Sequence, residues 1–388
     1  MRARAVRALL ALCAVGLSWP ALGEVLPDDR ADVLYHRYEG GGVEIDGPSL
    51  LVRKKAGKKF SFYGNLYVDM VSSASIDVIT TASPYEEERT EKSVGFDFLH
   101  GSYIMSVGAT NSEENDYSAQ SYHFGISQTM FGDLTTLSLG YSLGDDEVGN
   151  NSDPTFAEEL RRQNYRLGIS QILTKNLLMG LSFETITDEG FLNNPYRSVR
   201  FLDAGSPVGY SFESEIYPRT RTSDAVSLRG RYFLPYRAAV SGGYRYFTDT
   251  WDIKAHTAEI GYTHPLDSGW TIDAKFRYYS QTAASFYSDL FPRSMSQNFQ
   301  GRDKELSTFQ TQTIRLGASY DILKGGWRFV DKGTVNVIYD RIDFSYDDFR
   351  DITAGGAPGE EPAYSRSEER RVGKECPSKC RSRWSPYH

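Results

Sequence analysis

The chain has 388 residues, a formal net charge of −8 and 24% charged residues, and its mean hydropathy of −0.46 would suit a water-soluble protein. No apolar run after the N-terminus approaches the ~20 residues of a membrane-crossing helix, and the lack of cysteine between positions 14 and 375 excludes a disulfide framework. Residues 24–364 carry −15, which speaks against binding nucleic acid phosphates.

In chain order, Arg2, Arg4 and Arg7 precede an apolar run from Ala8 to Leu17, and Ala21-Leu22-Gly23 precede Glu24. That is the order of a cleavable secretory signal peptide over residues 1–23. Cys13 lies inside the apolar run behind Leu12, where a lipoprotein site would need a small residue. Residues 24–32 then read as a short periplasmic segment.

From residue 33 onward the signal is alternation. Phe60, Phe62, Gly64, Leu66, Val68 and Met70 fall on one side of a strand, with Ser61, Tyr63, Asn65, Tyr67 and Asp69 on the other. Trp270 to Tyr279 repeats the pattern over ten residues, the length of a tilted transmembrane strand, and Leu177 to Glu184 does so again. Comparable segments fall at 33–39, 43–53, 90–99, 102–110, 117–129, 134–144, 163–172, 224–233, 238–248, 254–263, 309–320 and 333–343, fifteen strands in all. Short connections such as His100-Gly101 and Phe131-Gly132-Asp133 alternate with long polar ones at 72–89, 145–162, 188–223, 280–308 and 344–362. Short turns at one end and long loops at the other mark an outer-membrane barrel; a soluble β-sandwich has no reason to segregate them. Only every second residue of such a wall meets lipid, which dilutes the hydropathy. The 13% aromatic content, with 26 Tyr against 5 Trp, suits its two interfacial girdles. The expected fold is all-β, an antiparallel up-and-down transmembrane barrel over residues 33–364, with about 16 strands in the complete protein and 14 as the alternative.

Long strings along this body resemble a bacterial family known only as domain of unknown function 3570. They are DGPSLLVRKK (46–55), YVDMVSSASIDVITTASPYEEERTE (67–91), ITDEGFLNNPYRSVRFLD (186–203), YPRTRTS (217–223), FYSDLFPR (286–293) and RDKELSTF (302–309). The resemblance spans residues 33–364 and implies an outer-membrane location. It brings no activity and no site residue with it.

The alternation assigns charges to the lumen. With Val226, Leu228, Gly230 and Tyr232 toward lipid, Arg229 and Arg231 face inward, and the same phasing turns Arg245, Lys275, Arg277 and Arg315 inward. Early strands supply inward Asp69, Asp97 and Glu184, while Glu259, Asp273 and Asp340 interleave with the basic residues. Two readings stand: a basic wall facing a more acidic one across a water-filled pore, or charges that pair and fill a closed lumen. The 188–223 loop is too aromatic for plain disorder; it is expected to fold over or into the mouth, with Phe191, Tyr196, Arg197 and Phe201 at a constriction. Acidic runs at Glu86-Glu87-Glu88, Glu113-Glu114, Asp145-Asp146-Glu147 and Asp347-Asp348 read as solvated loops that could bridge divalent cations to lipopolysaccharide. The histidines at 36, 100, 123, 256 and 264 are scattered over separate strands and turns, which argues against an enzyme. No metal or cofactor motif is present, so none is expected. The expected partners are membrane lipid, lipopolysaccharide and small solutes, and the expected role is a pore or transporter. The alternatives are a non-conducting anchor for a partner and, third, a barrel hydrolase.

The C-terminus breaks the pattern. Residues 365–388 hold seven basic and three acidic side chains, no period-two apolar face, and the only cysteines after the signal, Cys376 and Cys380. The segment resembles translated adapter or vector read-through, and a two-cysteine site without nearby histidine other than His388 is weak as a metal pair. The expectation is a non-native tail and a missing sixteenth strand.

Overall fold

Sixteen antiparallel strands close on themselves in the computed structural model, which describes residues 25–40, 43–73, 85–323 and 333–377. Residues 1–23, read above as a signal peptide, and the end of the tail, 378–388, lie outside the described residues. In order the strands are β1 (Arg30–Gly40), β2 (Val43–Ala56), β3 (Phe60–Ser73), β4 (Tyr85–His100), β5 (Tyr103–Glu113), β6 (Tyr117–Met130), β7 (Thr135–Val148), β8 (Glu158–Thr174) and β9 (Leu177–Gly190). Two short strands follow, β10 (Ser198–Leu202) and β11 (Tyr210–Ser214). The wall resumes with β12 (Thr220–Phe233), β13 (Ala239–Asp249), β14 (Lys254–Pro265), β15 (Trp270–Gln281), β16 (Phe309–Leu323), β17 (Gly333–Arg350) and β18 (Ala363–Pro377). Each wall strand pairs with the next; β10 and β11 form a separate hairpin inside the connection from β9 to β12.

All fifteen segments read from alternation are wall strands. Their surfaces invert those of a soluble protein: Val94, Phe124, Leu167, Leu228, Ile260 and Ile314 are exposed outward, while Ser61, Asp97, Asn164, Ser227, Thr257 and Asp340 are buried inside. An apolar exterior around a polar interior is the pattern of a membrane-spanning barrel. At the short-turn end, Gly101 holds φ +59° between β4 and β5, a left-handed conformation that glycine adopts without Cβ strain.

Several strands run past the apolar band. The acidic runs expected in loops lie largely on these extensions: Glu86–Glu88 in β4, Asp145–Glu147 in β7 and Asp347–Asp348 in β17. The ladder continues into water, where both faces are polar and no alternation marks the strand. The loops shrink accordingly, to residues 149–157 between β7 and β8 and 351–362 between β17 and β18.

The closing strand corrects an expectation. β18 pairs with β17 from Ser345/Ser365 to Gly333/Pro377 and with β1 from Gly40/Glu368 to Val33/Glu375, so no gap separates the first and last strands. Every non-proline residue carries a backbone donor and acceptor, and these complete the sheet whatever side chains they bear. What the segment lacks is a lipid face: Ser365, Ser367 and Glu369 are exposed on the outward side.

Among the described residues the hydrophobic core cluster sits not in the wall but at the long-loop end. Tyr217, Trp251, Ile253, Ala284, Phe286 and Leu306 are each at least 93% buried there.

Candidate functional site

The lumen wall is a set of cross-strand charge pairs. On the early strands Asp69 accepts from His36 Nε2 at 2.7 Å, and Tyr67 reaches the same nitrogen at 3.2 Å. Asp97 is clamped by Arg53 and by Ser106 Oγ at 2.6 Å. Glu184 takes Arg166 Nε at 2.7 Å, Asn164 Nδ2 at 3.1 Å and Arg245 Nη2 at 3.3 Å. On the late strands Lys275 Nζ meets Glu259 at 2.6 Å, and Arg315 binds both oxygens of Asp340 at 2.6 and 2.7 Å. The early acids are thus matched by basic partners that strand phasing alone did not single out, namely Arg53, His36 and Arg166. Arg53 could have been found from its phase, since Leu50 and Val52 beside it point outward. Arg229, Arg231 and Arg277 form no hydrogen bond or ion pair with any described residue, and Arg229 and Arg231 are exposed within the lumen.

Glycines floor this wall. Tyr63, Gly95, Gly108 and His123 stand in one register row across β3 to β6. The two rings lie over the glycines and meet at 3.2 Å; a Cβ on Gly108 would fall 2.1 Å from His123 Cε1. The hydroxyls bonded to His36, His123, His256 and His264 all come from tyrosines among the described residues.

At the long-loop end the connections after β9, β15 and β17 form a folded cap. The 188–223 segment, expected to be a loop, carries the β10–β11 hairpin. Its backbone joins the β15–β16 connection, where Leu202 N donates to Phe291 O and Phe291 N to Arg200 O, both at 2.9 Å. The four residues expected at a constriction are all anchored in this cap. Phe191 sets its edge on Phe156, Tyr196 bonds Asp116 and accepts from Asn151 N at 2.7 Å, Arg197 pairs with Asp303, and Phe201 bridges to Phe291.

Beneath the hairpin, Arg200 is completely buried. Its guanidinium is shared by Asp289 and Glu361, and its Nε donates to Asp289 O at 3.0 Å. Arg302 holds the other side of Asp289 at 3.0 Å and lies over the Phe349 ring. Beside them Glu215 accepts from Tyr217 Oη and from Arg302 N, each at 2.7 Å. Burial, then the charge of Asp303, pushes its carboxyl up to about 7, and burial holds the Tyr217 phenol well above its ordinary range. No local pattern joins residues 200, 289 and 361. Yet four of the six resemblance strings, those at 186–203, 217–223, 286–293 and 302–309, meet here.

Solved structures similar to the chain are outer-membrane proteins. A bacterial polysaccharide outer membrane secretin aligns over 90% of this chain and 99% of its own at 8% identity, TM-score 0.48. The siderophore receptor PirA from Pseudomonas aeruginosa aligns over 84% of this chain at 10% identity and TM-score 0.45, and this chain covers 60% of that receptor. A loop-L8 deletion mutant of OmpT, an outer membrane protein of Vibrio cholerae, aligns over 90% and 97% at 10% identity, TM-score 0.43. No curated protein matches. A family model described as a protein of unknown function, DUF3570, matches residues 76–330, well over half the chain, and the chain belongs to that family.

Proposed function

We propose that the protein is an outer-membrane pore for small solutes, exported by its signal segment, with the folded cap restricting what reaches the lumen. One observation carries this reading: the wall has sixteen strands and charged, glycine-floored inward faces. Barrels of about eight strands fill their interior with side chains, whereas those of 16–18 leave an aqueous channel. In a planar bilayer the purified, heat-modifiable barrel should give discrete current steps. Removing residues 191–219 and rejoining β9 to β12 should enlarge them. A folded barrel that passes no current, with or without the cap, overturns the pore.

A second reading has its own support. The cap exposes Leu202, Val208, Phe212, Met295 and Phe299, a patch of the kind that marks a contact surface. A non-conducting anchor would use that face, and its substitution by serine should then abolish partner capture while leaving the barrel folded.

A further inference from the structure

We infer that the solute this lumen selects is a small anion, an inference that rests on the pore reading. The carrier is an excess of inward guanidinium groups on one continuous stretch of wall. In register across β9 to β15 stand Gly180, Arg229, Gly243, Glu259 and Arg277. The adjacent inward row holds Arg231, Ser241, Gly261 and Lys275, then Arg315 and Asp340 on β16 and β17. Five cations therefore face two carboxylates. Glu259 is occupied by Lys275 and Asp340 by Arg315, which leaves Arg229, Arg231 and Arg277.

Strand register explains why Arg229 and Arg277 stay unpaired. Arg229 lies between two glycines, so neither of its direct cross-strand neighbours offers an acceptor, and Glu259, opposite Arg277, is taken by Lys275. A Cβ at Gly180 would meet only Ile169 O, at 3.8 Å. The space over Gly243 is filled by the Glu259 side chain, whose carboxylate is committed to Lys275. The next carboxylate down the wall, Asp273, accepts from Thr263 Oγ1 at 2.6 Å and has no ion pair among the described residues, so it offsets one of the three. Above, Glu184 is shared by two guanidiniums, Arg166 and Arg245, which restores the excess. Fixed cations around a water-filled, low-dielectric passage concentrate anions and bar cations, as rings of Arg and Lys do in anion pores.

The test is the chloride-to-potassium permeability ratio of the purified full chain in a planar bilayer under a KCl gradient. The ratio should exceed one and fall as salt is raised and the charges are screened. Replacing Arg229→Gln, Arg231→Gln and Arg277→Gln together should lower it several-fold, to one or below. None of the three neutralises a carboxylate, so their loss orphans no buried acid and the heat-modifiable barrel should persist. Should the triple variant not fold, Arg277→Gln alone reads the same ratio with a smaller fall. Arg341→Gln, the same charge change on the outward face, should leave the ratio alone. Current with a wild-type ratio at or below one, or a ratio unmoved by the three substitutions, overturns the anion while leaving the pore. A folded barrel without current overturns both.

Discussion

The cap and the lumen wall are built from the same chemistry, arginines shared between carboxylates, yet the surroundings give the pairs opposite roles. Arg200 has no exposure at all and its two acids are nearly as buried, so removing it strands charge where water cannot follow. On the wall Arg166 and Arg245 share Glu184 with 44% and 35% of their side chains exposed. Neither guanidinium is sealed from solvent, so either can be replaced at Glu184 by the other or by water. A buried ion pair binds the loops to one arrangement, whereas a solvated one tunes the field around it.

The largest effect expected of breaking this contrast comes from Arg200→Met. It leaves Asp289 and Glu361 to face each other in the cap and should cost about 3–5 kcal/mol of cap stability. Limited proteolysis of the intact barrel checks it, by new cleavage within 191–219 while the wall strands stay protected. Next comes the pH response of the cap. With Glu215 at about 7 in the folded loops against an ordinary 4.5, the unfolded segment releases its proton first as pH rises. Cap stability is therefore full below about 4.5, declines between there and about 7, and then stays low. The linked loss is on the order of 3 kcal/mol. Glu215→Gln should flatten protease resistance across that window; an unchanged slope would assign it to other groups.

Ala274→Arg tests the lipid side of the wall. It places a cation between Ile272 and Phe276, both about 40% exposed outward, and should cost ~2–4 kcal/mol of membrane folding if the position lies near the midplane. Arg277→Ala, three residues on and facing inward, should fold normally and alter only ion preference. Equal damage from both would refute the assignment of faces. The smallest effect belongs to Arg245→Gln, since Glu184 keeps Arg166 and Asn164; it should shift stability by less than ~1 kcal/mol. A large loss there would mean that wall pairs behave like cap pairs.

What was legible in the sequence follows from the same physics. Wherever a strand divides lipid from water, alternation is enforced residue by residue, and Trp270 to Tyr279 can be read by eye. β10 and β11 were not legible because, at five residues each inside a loop, they divide no lipid from water. β18 escapes the pattern for the converse reason: it is paired on both edges as a wall strand, but its outward Ser365, Ser367 and Glu369 carry no lipid-facing signal. The inward phase of Asp97 and Glu184 is readable, and so is that of Arg53, but not which of these side chains meet. Arg53 lies 44 residues from Asp97, and only the register of strands brings them together.

The Tyr63 and His123 rings, laid across Gly95 and Gly108, act as a gauge. Sliding any one of these four strands by two residues would bring another side chain under a ring where only hydrogen fits. In a closed barrel the stagger of the strands and their number together set the radius. Gly95 and Gly108 thereby help hold the radius of the barrel to one value.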